Sequence, residues 1–182
     1  MCEKKDIGIF ISHFLIVFLL PCYNVLEWFF LGEGFVNISI EPISISSLIL
    51  AAFIEEYIFR KWLFGFLLHN MQLNISYSML VTNTVFAVYH LCNIFSYASV
   101  TYGIVQSIVA FSFGMAMSVI YWERKSLNIC ILSHLFINIS SVLNVSTDVS
   151  GAHALQCRQI IALCIISFVY LIYGVRSLKR TH

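Results

Sequence analysis

Three spacings gather side chains that could do or support acid–base chemistry: Glu55 beside Glu56, with Arg60 four residues after Glu56; Phe86 with His90; and His134 with Asn138. A carboxylate beside an imidazole can take a proton from water. A second imidazole and an amide can donate to the oxyanion formed when that water attacks a carbonyl. This would be hydrolysis with water itself as the nucleophile. Glu55, His90 and His134 also admit a second reading, as a zinc site with two imidazoles and one carboxylate. No H-E-x-x-H segment is present to pre-organise a metal. There is no G-x-S-x-G, no serine–lysine pair within one apolar segment and no pair of intramembrane aspartates, which argues against serine and aspartyl mechanisms.

The segment that carries the carboxylates, "AAFIEEYIFRKWL" at residues 51–63, is otherwise lipid-soluble. A charge at the centre of a bilayer costs about 2.5–3.5 kcal/mol on insertion scales, so such residues face a cavity or the bundle interior. Glu56 and Arg60 are four apart with the acid nearer the N-terminus, the favourable order for an ion pair on one face. Glu55 is turned about 100° from Glu56 and has no basic partner at helical spacing. The spacing therefore predicts a self-compensating pair and one unpaired acid, whose desolvation suits a general base working near neutral pH. A lone histidine in a membrane helix ordinarily bonds to a neighbouring helix, and Ser, Thr and Asn do the same. Two histidines, an asparagine and an unpaired glutamate in separate segments of one small bundle point to chemistry instead.

The elements that must position these groups follow from composition. The chain has 182 residues, of which 60% are hydrophobic and 10% charged, with a mean hydropathy of +0.89. Soluble domains carry about 25% charged residues, so an all-α, polytopic membrane helix bundle is expected. The net charge of +1 says nothing about nucleic acid, but no basic arm or patch exists to bind it, so no nucleic-acid partner is expected. Apolar segments run over about 7–31, 43–68, 75–95, 102–122, 127–145 and 159–175, giving about six transmembrane helices of roughly 20 residues. The first begins like a secretory signal but is too long and lacks a small-x-small cleavage site, so it reads as a retained span. Read as upright rods with these bounds, the bundle offsets His90 from His134 by roughly 10 Å along the membrane normal.

Lys4, Lys5, Arg124, Lys125, Arg176, Lys179 and Arg180 fall on one side if both termini are cytoplasmic, as the positive-inside rule asks. Arg158 is the misfit, at the outer edge of the last span. Cysteines 2, 22, 92, 130, 157 and 164 form no C-x-x-C pair and read as small apolar residues. The chain divides into an N-terminal span and outer loop (1–42), a catalytic helix core (43–145), and a final span with a basic cytoplasmic tail (146–182).

The order E-E-x-x-x-R, F-x-x-x-H, H-x-x-x-N on successive polar-cored helices resembles the CPBP (Abi) family of intramembrane proteases, which includes CAAX-prenyl endopeptidases and bacteriocin-processing or immunity proteins. The run "GMAMSVIYWERKSLNICILSHLFIN" is similar to the family's approach to its third motif. The resemblance implies a glutamate-type endopeptidase without a cofactor, in which Glu55 and His90 activate water. It implies that His134 and Asn138 stabilise the oxyanion, and that Glu56, Arg60 and Phe86 support the site. The expected partner is a membrane-associated protein or peptide substrate within the lipid bilayer. The small size suggests a prokaryotic plasma membrane. The alternatives are a non-enzymatic immunity or peptide-sequestering protein, and a zinc-dependent membrane hydrolase built on the same residues.

Overall fold

A chain this apolar must satisfy its backbone hydrogen bonds within each segment, and it does so with helices. The computed structural model describes residues 2–31, 42–97, 99–142 and 157–178. Among them the order is α1 (Cys2–Leu31), α2 (Pro42–Glu56), a π-helical stretch (Tyr57–Leu63), α3 (Phe64–His69), α4 (Ile75–Leu91), α5 (Asn93–Tyr97), α6 (Val100–Arg124), α7 (Leu127–Val142) and α8 (Cys157–Leu178). No strand occurs among the described residues.

Helix α6 is the axis of the bundle. Every residue from Ser112 to Ile120 is buried, so this stretch is covered on all faces, by α4, α7 and α8. Small residues at Ala110, Gly114 and Ser118, four apart, let neighbouring backbones approach closely. The outer surfaces carry Phe14, Leu15, Phe29, Phe30, Phe53 and Phe168, all more than half exposed except Phe53 at 50%. In water this would be a liability; in lipid it is the solvent-matched surface.

Local signals set the helix ends. The Asn74 side chain accepts from the Tyr77 N–H at 2.8 Å and opens α4, and Ser99 accepts from the Tyr102 N–H at 3.3 Å and opens α6. At the other end of α6, Lys125 takes a left-handed conformation with φ of 53° and donates its N–H to the Tyr121 carbonyl. The chain then re-enters the bundle at Leu127, which carries His134 back toward the core.

Among the described residues four helices are long and apolar enough to cross a membrane: Ile11–Phe30, Ile75–Phe95, Val100–Arg124 and Arg158–Leu178. The other two expected spans differ in form. From Pro42 to His69 the helix is unbroken but widens into the π stretch, which the sequence reading missed. Buried or half-buried pairs recur there at 55–56, 59–60 and 63–64. A four-residue repeat on an α-helix drifts by about 40° per turn, and the wider π turn holds the stripe on one face. Helix α7 has 16 residues, about 24 Å of rise against a hydrocarbon core of about 30 Å. Residues 143–145 of the expected fifth span lie outside the described residues.

Two polar clips close the bundle. His13 on α1 donates from Nε2 to Glu123 at 2.7 Å and accepts at Nδ1 from Arg124 Nε at 3.1 Å, fastening α1 to the end of α6. Arg158, the misfit in the charge pattern, faces Glu27 at 3.6 Å and ties the start of α8 to α1. The acidic loop 32–41, the tail 179–182 and the side chains of Lys4 and Lys5 lie outside the described residues. Of the cysteines described, Cys130 is buried while Cys22, Cys92 and Cys164 face outward, and all are free thiols.

Candidate active site

The interior of the bundle brings together residues from three separated stretches. Glu55 closes the last turn of α2, and its Oε2 lies 3.8 Å from His90 Nε2 and 3.7 Å from His134 Nε2. The expected 10 Å offset between the two histidines does not exist. The estimate took equal upright rods, whereas α4 ends one residue after His90 and α7 is only 16 residues long, so the helix ends do not align. Both separations are too long for a direct hydrogen bond, and Glu55 Oε2 is buried with no hydrogen-bond partner among the described residues.

The far side of each imidazole is fixed. His90 Nδ1 bonds to the Phe86 carbonyl at 3.0 Å; a carbonyl only accepts, so Nδ1 carries the proton and the Nε2 lone pair turns toward Glu55. His134 Nδ1 bonds to Glu56 Oε1 at 2.9 Å; a carboxylate again only accepts, so the Nδ1 proton is held there. Phe86 gives the motif a second purpose. Its ring meets His90 edge-on at 4.4 Å between centroids and His134 at 6.1 Å, and Phe59 packs on it at 4.8 Å.

Glu56 and Arg60 form the expected pair, Oε2 to Nε at 3.2 Å, with both side chains at 0% exposure. The pair is more than self-compensating, because Glu56's other oxygen orients His134. The Arg60 guanidinium lies over the Phe86 ring, 4.8 Å from its centroid.

Asn138 lies one turn beyond His134 on α7, and its Nδ2 donates to the Leu48 carbonyl at 3.5 Å, the long limit of such a bond. It makes no hydrogen bond to the Glu55 cluster among the described residues. Among the described residues no group of three or more His, Cys, Asp or Glu side chains is arranged to hold a metal ion. Sequence reasoning passed over Asn83, which is fully buried and bonds Met79 O at 2.8 Å and Ser118 Oγ at 3.0 Å. It also passed over Phe113, whose ring lies 5.8 Å from His134. The one available signal was a buried-type position for Asn83, three residues before Phe86 on α4.

Residues 37–140 match the family model described as type II CAAX prenyl endopeptidase Rce1-like. The chain belongs to that family. The matched region is more than half the chain and contains Glu55, Glu56, Arg60, Phe86, His90, His134 and Asn138. Comparison with curated proteins and with solved structures returned no match. Membership of the Rce1-like family makes the chain a CAAX-type membrane protease, an endopeptidase whose substrate is a protein or peptide at the membrane. Its helical, apolar bundle is that of an integral membrane protein.

Proposed function

We propose that the protein is a glutamate-type intramembrane endopeptidase in which water is the nucleophile and no cofactor takes part. The observation that carries this reading is the convergence of two imidazole Nε2 atoms on a single buried, unbonded oxygen of Glu55. Glu55 and His90 take the proton of a water that attacks the scissile carbonyl. The developing oxyanion accepts from Asn138 Nδ2, which gives up only its long bond to Leu48, and from His134 Nε2. Because His134 Nδ1 is committed to Glu56, donation from Nε2 uses the imidazolium form of that ring, whose Nε2 also faces Glu55 Oε2 at 3.7 Å. Proton transfer from the cluster to the leaving amine completes the cycle. The membrane orientation with both termini cytoplasmic, in a prokaryotic plasma membrane, accompanies this reading. It puts Glu123, Arg124, Lys125 and Arg176 on the inner side.

The test is cleavage of a fluorogenic prenylated peptide ending in a CAAX box by purified protein in detergent, for wild type and Glu55→Gln. We expect the substitution to lower kcat by about 10²–10⁴, with folding intact, and rigorous chelation to leave the wild-type rate unchanged. Full activity of Glu55→Gln would overturn the base assignment. Loss of activity on chelation, restored by zinc, would favour the metal reading of the same three residues.

A further inference from the structure

Gly114 lies at the middle of α6, at the head of the run that leads to the third motif, and its missing side chain leaves the space in which Asn83 and the end of Arg60 pack. A β-carbon built on Gly114 would overlap the Asn83 side-chain oxygen and stand 3.2 Å from Arg60 Nη2. Asn83 has little room to yield. Its Nδ2 is held by the Met79 carbonyl at 2.8 Å, by Ser118 Oγ at 3.0 Å and by Met115 Sδ at 3.4 Å. Arg60 is confined on its other sides by Glu56 and by the Phe86 ring. Its Nη1 and Nη2 are fully buried, with no hydrogen-bond partner among the described residues, so packing rather than hydrogen bonding fixes where the guanidinium sits.

We infer that Gly114, backed by Asn83, is a positioning residue for the proteolytic site. It sets Arg60, Arg60 sets Glu56, and Glu56 holds the His134 ring through its Nδ1 proton. The inference rests on the proposed role of His134 and extends the site to a helix that carries none of its motifs. A methyl group at position 114 displaces the flexible end of Arg60, moves Glu56 and loosens the orientation of His134. A misplacement of about 1 Å at a catalytic group costs on the order of 100-fold in rate. Shortening Asn83 opens the space that the methyl needs.

The experiment compares wild type, Gly114→Ala, Asn83→Ala and the Gly114→Ala/Asn83→Ala double variant, with Glu55→Gln as a control, in the same detergent. The first readout is kcat and KM on the prenylated CAAX peptide. The second is the ring nitrogen spectrum of ¹⁵N-histidine-labelled protein, with His134 and His13 assigned by substitution. Gly114→Ala should lower kcat roughly 10- to 100-fold at unchanged KM. It should also shift the His134 resonances while leaving those of His13 in place. The double variant should recover both toward wild type. Unmoved His134 resonances in Gly114→Ala, or a double variant no better than the single, would overturn the inference. A Glu55→Gln enzyme that cleaves normally would instead sink the catalytic reading, and the histidine spectra would still decide the fate of Gly114.

Discussion

Replacing Glu56 by glutamine probes the internal logic of the site most directly. Glutamine keeps the shape and one carbonyl oxygen for His134 Nδ1, but removes the charge facing Arg60. Both side chains of the pair are at 0% exposure and 3.2 Å apart. Removing one member of such a pair strands the other, at a cost of about 3–5 kcal/mol. The bond to His134 changes from charge-assisted to neutral, which adds about 1 kcal/mol. At about 2–4 °C per kcal/mol for a chain of this size, the unfolding midpoint should fall by roughly 8–24 °C. The Glu56→Gln/Arg60→Met double variant removes the stranded cation and should return to within about 2 kcal/mol of wild type. The assay is thermal unfolding of purified proteins at one protein and detergent concentration. A single variant within about 3 °C of wild type, or a double variant no more stable than the single, would refute mutual compensation in a dry interior.

Two further outcomes separate chemistry from architecture. Asn138→Ala should lower kcat by about 10²–10³ with little change in stability, as loss of an oxyanion donor does. Steady-state kinetics beside a melting curve checks this, and a stability loss at unchanged kcat would reduce Asn138 to a clip between α7 and α2. His13→Ala should do the reverse. It removes the bonds to Glu123 and Arg124, costing about 2 kcal/mol and roughly 4–8 °C, while kcat on the peptide stays at the wild-type level.

The order of the three motifs in an apolar chain determined the fold class, the family and the residues that meet at the site. Glu55, Glu56, Arg60, His90 and His134 were legible because ionisable groups are too costly in lipid to be placed without a partner, and Phe86 through its four-residue spacing to His90. The helical angle between Glu55 and Glu56 also separated the acid paired with Arg60 on its own helix from the one whose basic neighbours come from other helices. What spacing within one helix could not supply was anything that passes between helices. The double use of Glu56, for Arg60 and for His134, depends on how α2 meets α7. The same holds for the depth of His90, the pairing of Arg158 with Glu27 and the anchoring of His13. The π stretch was half-visible in the four-residue repeat of buried pairs, but only burial shows which residues form the repeat. Gly114 stood at the head of the run that leads to the third motif, but its role lay beyond the sequence, since a missing side chain acquires meaning only from the atoms that occupy its place. Sequence fixes which groups must be sheltered from lipid, and packing decides which of them shelter one another.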